Sequence, residues 1–563
     1  MTFNSSKYAN FIAQATALQE RLFLNYIGPR NDFDIIVVGS GIGGGMLADD
    51  LADRLGPTKR ILVVEAGSFV YPTHVYNFCR FPNDSLAKHY GCDTFWQYGD
   101  SESQHFIGEK PQLAFGGRSI FWSGLIPTVQ SWELDFFPPG VRQSLADELL
   151  EWAGDVMNES RSMGRKADEI VQHLQSSELA GDFVIEQTPR ALHQPYLKAD
   201  GAPRDRFFTE PTGVFNTAEL LINQVGLTPG VYHGDHNGLF LLLNHYVEDV
   251  QNLGGHFQIV ARDTLSQLPR FLTAGTVVLA AGSIESPKLL RRSSLFPDLP
   301  DHAKALVGRG LTDHPTSDKL EAFVTHVGGL DIPKNDHAKI VFYSKGDRDG
   351  AGEIKFPFNV EMNINHEYWH LRENDPSSAG PAGLPPPKLP GASRIDIKFS
   401  FGNCLDDSSE IRPAAPFEYV PEILFPNLSW TSHLAGSRFP ALAGWQKNDQ
   451  QIFAVMNSVA QRIFSQFGND GRAAIPDNNV WYGQGGKGFG WGTVHHAAGS
   501  LRMPYRTSLN SAFNFHAVVD EDLRVAGTTN LYVCDMSVMP FSSAANPVRT
   551  LGALALRLSR HFG

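Results

Sequence analysis

A glycine-rich turn between two short apolar runs constrains the fold of this chain more than any other feature. Residues 33–66 read FDIIVVGSGIGGGMLADDLADRLGPTKRILVVEA, so a segment of helical period follows the turn and leads to the second apolar run. Continuous apolar runs of this length are typical of strands buried on both faces of a parallel sheet. The pattern therefore predicts a β-α-β unit whose helix begins at the glycine turn.

The glycines Gly39, Gly41 and Gly44 have the spacing GxGxxG. Gly39 permits the tight turn, Gly41 leaves room for a pyrophosphate, and Gly44 lets the helix pack closely on the strand. Unpaired N–H groups and the positive end of the helix dipole would then meet the phosphates. Glu65, at the end of the second run, can accept hydrogen bonds from both ribose hydroxyls and would repel a 2′-phosphate.

This unit predicts a dinucleotide site and argues against NADP, but by itself it does not distinguish FAD from NAD. A glycine-rich turn that binds no ligand is the alternative.

Composition excludes several other classes of protein. The 563 residues are 42% hydrophobic, which excludes global disorder, and a net charge of −13 argues against nucleic acid or an anionic membrane as partner. The 4 cysteines form no CxxC pair, so we expect neither a disulfide framework nor a metal site. No apolar stretch approaches the ~20 residues of a membrane span, and the first residues lack a signal-peptide pattern, so we expect a cytoplasmic protein.

Further motifs occur towards the C-terminus and at intervals along the chain. Residues 492–563 contain HHAAGSLRM, NLYVCDMS and AANP, while GGRSIFW, AAGSIESPKLL and VGRGLTDHP occupy 116–122, 280–290 and 307–315. Together with the glycine turn, these segments resemble the glucose–methanol–choline (GMC) oxidoreductases, a family of FAD enzymes. Residues 320–480 carry no comparable motif.

The resemblance implies an α/β fold with a Rossmann-like FAD-binding domain that is discontinuous in sequence, and a second α+β domain built on an antiparallel sheet for the substrate. We assign the FAD-binding domain to residues 31–135, 236–318 and 485–563, and the substrate domain to residues 319–484. Residues 136–235 form an intervening helical or loop region. Apolar steps of helical period predict an amphipathic helix within residues 1–30, which packs on the body or contacts a membrane or partner.

For the chemistry, the resemblance implies oxidation of an alcohol, in which a base accepts the hydroxyl proton and the flavin accepts a hydride. Histidine suits the first role because its unperturbed pKa is ~6.5. His496 aligns with the catalytic histidine of the family, and His495 precedes it. If this segment is extended, the two side chains point to opposite faces, so only one of them meets the flavin.

Asn546 stands where other family members have a second histidine, and it is expected to orient the substrate oxygen. Asparagine is also a favoured N-cap and proline a favoured first helical residue, so Asn546 and Pro547 predict a helix start whose positive end stabilises negative charge on the reduced flavin. The resemblance implies these further cofactor-binding residues: Gly116, Gly117, Ser119, Asp535 and Pro547.

Two features are similar to the branch that contains pyranose oxidase and cholesterol oxidase, namely GGRSIFWSG and the asparagine of AANP. Phe121 replaces the flavin-attaching histidine of pyranose oxidases, which predicts non-covalent FAD. Trp122 either stacks near the flavin or packs in the core.

The similarity to this branch favours a sugar or glycoside as the substrate, oxidised at a secondary ring hydroxyl. A sterol is the less favoured substrate. We expect O2, or a quinone- or dye-like compound, as electron acceptor, and an oligomer is compatible with the sequence. The alternatives are a flavin-containing lyase or a light-dependent enzyme of this fold, a non-catalytic interaction protein, or an NAD-dependent dehydrogenase.

Overall fold

The computed structural model describes residues 27, 30–69, 112–162, 164–193, 213–225, 238–314, 316–317, 320–324, 326–327, 330–331, 338–345, 358–364, 393–412, 421–425, 449–467, 495–506 and 512–562. The amphipathic helix predicted within residues 1–30 lies outside this part of the chain, apart from Ile27 and Arg30. Over the described ranges, every helix is too short or too polar to cross a bilayer.

The described residues form strands and helices with the following bounds. The strands are β1 (Asp32–Val38), β2 (Ile61–Val64), β3 (Glu159–Ser160), β4 (Phe183–Gln187), β5 (Arg190–His193), β6 (Gly213–Val214), β7 (Leu239–Leu242), β8 (His245–Asn252), β9 (Phe257–Asp263), β10 (Pro269–Leu279), β11 (Leu320–Val324), β12 (His326–Val327), β13 (Leu330–Asp331), β14 (Ala338–Ser344), β15 (Phe358–Ile364), β16 (Ser393–Phe401), β17 (Glu410–Arg412), β18 (Glu422–Leu424) and β19 (Leu531–Val533). The α-helices are α1 (Ile42–Leu55), α2 (Ser131–Leu134), α3 (Pro139–Ser144), α4 (Leu150–Val156), α5 (Arg165–Gln175), α6 (Leu179–Asp182), α7 (Thr217–Val225), α8 (Glu285–Arg292), α9 (Asp301–Leu306), α10 (Asp449–Ser465) and α11 (Val548–His561).

The first sheet is the Rossmann-like one that the glycine turn predicts. Strands β7, β2, β1 and β10 are parallel neighbours in that order, and β19 pairs parallel to the carboxyl end of β10. Strand β9 pairs antiparallel with the amino-terminal half of β10, and β8 pairs antiparallel with β9. Strands β1 and β2 are buried almost throughout, which is why their sequences are continuously apolar.

The second sheet is antiparallel, with the strand order β11-β16-β15-β14-β4. Strand β4 comes from the region 136–235, so this region contributes to the second sheet as well as linking segments of the first. A Rossmann-like domain joined to an antiparallel sheet confirms the predicted fold class.

Side chains alternate strictly across the central strands of the second sheet. One face, with residues such as Val360 and Ile397, forms an apolar core with helices α5 and α10. The opposite face carries Lys339, Glu361 and Lys398. A polar sheet face normally meets water, but here Lys339 is only 6% exposed and Glu361 only 7%. This face is therefore covered by the rest of the molecule and contributes to an internal cavity.

Candidate active site

A cavity of about 700 Å³ lies at the carboxyl ends of the parallel strands. Its lining includes Gly39, Glu65 and Ala280, which directly follow β1, β2 and β10. It also includes Asp535, the second residue after the end of β19. Ligands of open α/β sheets bind at this edge, where the strand ends and helix N-termini converge. The volume is within the range of ~300–1,000 Å³ that is typical of ligand sites.

The glycines of the turn have different surroundings. Gly39 has a φ of +103°, and a Cβ atom there would lie 2.4 Å from the carbonyl oxygen of Ala280. A Cβ at Gly44 would lie 2.1 Å from the carbonyl oxygen of Gly39, so this position demands glycine for packing. Gly41 lines the cavity and has nothing within 4 Å of such an atom. The backbone at Gly41 is thus open to a ligand.

Helix α1 begins at Ile42, and Gly41 supplies no side-chain cap to its first N–H groups. These groups and the positive end of the helix dipole lie at the open side of the turn. The arrangement suits a phosphate or pyrophosphate.

Glu65 lies at the end of β2, where it lines the cavity and also holds the glycine turn. Its Oε2 accepts hydrogen bonds from the backbone N–H of Ser40 (3.0 Å) and from the Ser40 hydroxyl (2.7 Å), and its Oε1 accepts from the N–H of Gly67 (2.9 Å). Burial raises the pKa of Glu65, and these hydrogen bonds oppose that rise. The carboxylate is therefore rigidly placed before any ligand binds.

Asp535 follows β19 and connects it to the loop after β10. Its carboxylate accepts hydrogen bonds from the N–H groups of Gly282 (2.9 Å) and Ser537 (2.8 Å), and from the hydroxyls of Ser286 and Ser537. Burial raises its pKa, while the hydrogen bonds from the serines lower it. Asp535 lines the same cavity as the glycine turn.

The loop of residues 116–119 is only partly exposed to the cavity. Gly117 lines it, and a Cβ there would lie 3.2 Å from the Cα of Gly41. Gly116 and Ser119 are not among the lining residues. The Ser119 hydroxyl donates to the carbonyl of Gly116 (2.6 Å) and accepts from the N–H of Thr217 (3.0 Å). Ser119 therefore stabilises the conformation of the loop through these hydrogen bonds, and it does so from outside the cavity lining.

Phe121 and Trp122 both line the cavity. The indole Nε1 of Trp122 donates a hydrogen bond to the carbonyl of Phe215 (2.7 Å), which fixes the ring against the wall. Phe121 offers only a phenyl ring, which has no nucleophilic atom for a covalent bond to a cofactor.

His496 lines the cavity and contacts a second imidazole, that of His314. Thr312 and Ala498 exchange two backbone hydrogen bonds of 2.9 and 2.8 Å in an antiparallel bridge. His314 lies two residues after Thr312 and His496 two residues before Ala498, so this antiparallel register sets the two imidazoles opposite each other. Nδ1 of His496 lies 2.6 Å from Nε2 of His314. Sequence reasoning missed His314, although its motif VGRGLTDHP was recognised.

Both imidazoles have depressed pKa values. Burial lowers the pKa of His314 to about 4, and the positive charge of Lys398 acts in the same direction. Burial also lowers the pKa of His496 well below its usual 6.5, with further contributions from His314 and Lys398. Both rings are therefore neutral at pH 7, and one nitrogen of His496 can accept a proton.

His495 differs from its expected geometry. Its φ is +61°, so the backbone is left-handed there, and the expectation of an extended segment with alternating side chains is wrong at this residue. His495 is exposed at the edge of the cavity, and its carbonyl accepts a hydrogen bond from Nη1 of Arg118 (3.3 Å).

The loop before α11 brings Asn546 to the same cavity as His496. Pro547 occupies the N-cap and Val548 is the first helical residue, so the predicted helix start at Asn546 is one residue too early. The buried carboxylate of Glu133 accepts a hydrogen bond from the N–H of Ala545 (3.1 Å) and holds the loop. The N-terminus of α11 has no side-chain cap and lies beside the cavity.

The second sheet supplies a charged wall to the cavity, formed by Lys339, Glu361 and Lys398. One oxygen of Glu361, Oε2, lies 3.4 Å from Nζ of Lys398 and 3.9 Å from Nζ of Lys339. Burial alone would raise the pKa of Glu361, but the two lysines lower it to about 2. The sequence analysis missed this wall, although the alternation of FNVEMNI and RIDIKFSF indicates a strand face of this kind.

Asp313, His314 and His496 have potential metal-ligand atoms within 4.8 Å of one another. However, two of the nitrogens face each other across a hydrogen bond, and the charge of Lys398 disfavours a cation here.

Comparisons with known proteins agree with this geometry. A family model described as GMC oxidoreductase, for the C-terminal domain, matches residues 445–555. Pyridoxine 4-oxidase from Mesorbium loti is structurally similar, with a TM-score of 0.59 and 16% identity over 94% of this chain and 99% of its own. A variant of formate oxidase from Aspergillus oryzae RIB40, described for the effect of a mutation on FAD modification, gives a TM-score of 0.58 and 15% identity over 94% and 98%.

No curated protein sequence matches the chain. The structural likenesses, at 16% and 15% identity, establish the fold, while the family model covers the segment that carries His496, Asp535 and Asn546. The chain therefore has a fold similar to that of these two oxidases, and its residues 445–555 match the family model of the GMC oxidoreductases.

Proposed function

We propose that this protein is an FAD-dependent oxidoreductase that oxidises an alcohol to a carbonyl compound. The observation that carries the proposal is one cavity that contains both the open glycine turn at Gly41 and the side chains of His496 and Asn546. The description of the family and the oxidase names of two structural neighbours support it.

The described residues fit FAD. The pyrophosphate would lie at Gly41 and the first N–H groups of α1, where the backbone is open. Glu65 would accept hydrogen bonds from ribose hydroxyls, and Asp535 would lie near the phosphates or the ribityl chain.

We propose that the FAD is non-covalent, because Phe121 offers no atom for a bond. Acid precipitation should then release all of the flavin into the supernatant, whereas flavin that stays with the precipitated protein would contradict this assignment.

A bound FAD supplies the acceptor for the hydride that leaves the alcohol carbon. His496 accepts the hydroxyl proton, and its depressed pKa keeps it unprotonated for this task. The contact between the two imidazoles allows this role in one tautomer, in which Nε2 of His314 accepts a hydrogen bond from Nδ1–H of His496. Nε2 of His496 then keeps the lone pair that the reaction needs.

Asn546 would orient the substrate oxygen through its side-chain amide. The uncapped N-terminus of α11, immediately after Pro547, stabilises negative charge that develops in the cavity. O2 or a quinone- or dye-like acceptor would then remove the electrons.

For the substrate, the GGRSIFWSG segment and Asn546 support a secondary ring hydroxyl of a sugar or glycoside, and a sterol fits the pyranose-oxidase-like pattern less well. The similarity to the branch of pyranose oxidase and cholesterol oxidase is part of this proposal.

The test mixes FAD-loaded protein with sugars, glycosides and aliphatic alcohols in the dark without oxygen, and follows the visible absorption of oxidised flavin. We expect bleaching by at least one compound, followed by peroxide formation or dye reduction. A lyase would turn over without bleaching, whereas a light-dependent enzyme would neither turn over nor bleach in the dark.

His496→Ala should slow bleaching by ~10²–10⁴-fold, the usual contribution of a general base. His256→Ala is the matched control, because His256 is exposed in the turn between β8 and β9, outside the cavity. No bleaching by any compound, or an unchanged rate in His496→Ala, would refute the proposal.

A further inference from the structure

His314 is a buried imidazole that a molecule in the cavity does not reach directly. The residue is only 1% exposed, and it is not among the residues that line the cavity. His496, by contrast, is only partly buried and lines the cavity. Any effect of His314 on the reaction therefore passes through a neighbouring side chain.

The imidazole of His496 is that neighbouring side chain. Its Nδ1 lies 2.6 Å from Nε2 of His314, and the centroids of the two rings are 4.6 Å apart. Both rings are neutral at pH 7, so one of these two nitrogens carries a proton and the other a lone pair. Because the contact uses Nδ1 of His496, Nε2 is the ring nitrogen that remains for a molecule in the cavity.

Hydrogen bonds between three chain segments hold the two rings in this relation. Thr312 and Ala498 exchange two backbone hydrogen bonds, and the side-chain amide of Asn403 donates to the hydroxyl of Thr312 (2.8 Å). Asn403 also exchanges two backbone hydrogen bonds, of 2.7 and 2.9 Å, with Ser542 in the segment before α11. The imidazole at position 314 is therefore tied to both segments that carry the proposed reacting side chains.

Two arrangements of protons satisfy the contact between the rings. In the first, Nδ1–H of His496 donates to Nε2 of His314, and Nε2 of His496 keeps its lone pair. In the second, Nε2–H of His314 donates to Nδ1 of His496, whose own proton then lies on Nε2 and blocks that nitrogen as a base. The hydrogen bond at one ring nitrogen of a histidine sets which nitrogen is protonated. His314 is therefore placed to control whether His496 can act as a base.

We propose that His314 is a positioning residue for the reaction, because it accepts a hydrogen bond from Nδ1–H of His496 and so keeps the lone pair of His496 on Nε2. This inference rests on the proposed function, since it concerns the base of that reaction. When Nε2 of His496 takes the hydroxyl proton, the O–H bond breaks and a hydride leaves the alcohol carbon for the flavin. The imidazolium formed at His496 then donates a charge-assisted hydrogen bond to His314.

The first experiment determines the tautomer of His496 directly. It uses nitrogen NMR of the oxidised, FAD-loaded protein with isotope-labelled histidine rings, and the signals of His496 are those that disappear in His496→Ala. We expect the proton on Nδ1 and the lone pair on Nε2. A proton on Nε2 overturns the inference, whether or not the protein oxidises any alcohol.

The second experiment compares two variants at position 314. His314→Gln keeps an amide oxygen that can accept from Nδ1–H of His496, whereas His314→Phe offers a ring without an acceptor. His314→Phe should slow anaerobic bleaching by roughly 10- to 100-fold, the range for a hydrogen bond to a charged group. His314→Gln should recover most of this loss. The alcohol concentration that gives half the maximal rate should stay the same in both, because His314 does not line the cavity.

Thermal unfolding of the two variants separates this role from a purely structural one. Equal slowing by His314→Gln and His314→Phe, in proteins that unfold like the wild type, overturns the inference. A wild-type rate in His314→Phe does so as well. If His314→Phe does not fold, the tautomer measured in the wild type decides the question. Failure of every alcohol to bleach the wild type rejects the proposed function alone, because the tautomer is measured without turnover.

Discussion

The glycine turn allows a direct test of the cofactor site, because Gly44 is closely packed by other atoms of the protein whereas Gly41 is open to the cavity. At Gly44 a methyl group would lie 2.1 Å from the carbonyl oxygen of Gly39 and 2.9 Å from Cβ of Ala280. At Gly41 a methyl group would meet nothing within 4 Å. Gly44→Ala should therefore damage the protein itself, whereas Gly41→Ala should damage only the binding of a cofactor.

The magnitudes follow from the local geometry. Overpacking of the kind expected at Gly44 costs ~1–3 kcal/mol or more, because the obstacle is backbone that has to shift. At Gly41, φ is −62° and ψ is −171°, which alanine adopts without strain. Alanine at this position makes the unfolded chain stiffer, which raises the free energy of unfolding by ~0.4–1 kcal/mol. Alanine is also a poorer N-cap than glycine, which lowers the free energy of unfolding by a similar amount, so the two effects nearly cancel.

The assay compares thermal unfolding of the FAD-free proteins with FAD titrations followed by flavin fluorescence. Gly41→Ala should unfold like the wild type but bind FAD roughly 10- to 100-fold more weakly, since its methyl group occupies the approach of the pyrophosphate. Gly44→Ala should unfold at a clearly lower temperature. Wild-type affinity for FAD in Gly41→Ala would refute the assigned role of the open turn.

Three further predictions concern the proposed reaction centre. Asn546→Ala should lower the rate of flavin reduction with FAD still bound, and unchanged reduction kinetics would remove Asn546 from the mechanism. Because burial and Lys398 hold the pKa of His496 well below 6.5, Lys398→Met should shift the acid limb of the pH–rate profile to higher pH; an unmoved limb would contradict this. The pKa of His314 is about 4 when folded, against ~6.5 when unfolded, so its contribution to stability is present above pH 6.5 and falls by roughly 3 kcal/mol as the pH drops to 4. His314→Gln should flatten this part of the pH dependence of urea unfolding, and identical curves for both proteins would count against the assignment.

The sequence by itself determined the β-α-β unit and the fold class. The apolar runs of β1 and β2 and the spacing of Gly39, Gly41 and Gly44 lie within one short segment of the chain, so their pattern can be read directly. The same local reasoning misplaced the helix start by one residue at Asn546, because Pro547 takes the N-cap position in the folded loop.

The tertiary structure decided which distant side chains act together. His314 meets His496 across 182 residues only because Thr312 and Ala498 pair in a particular register. The charges of Lys339, Glu361 and Lys398 form a wall only because the polar face of the second sheet is turned inward onto the cavity. The pKa and the hydrogen bonds of a charged group or an imidazole depend on the groups that lie next to it in space. A short stretch of sequence does not show which distant residues these are.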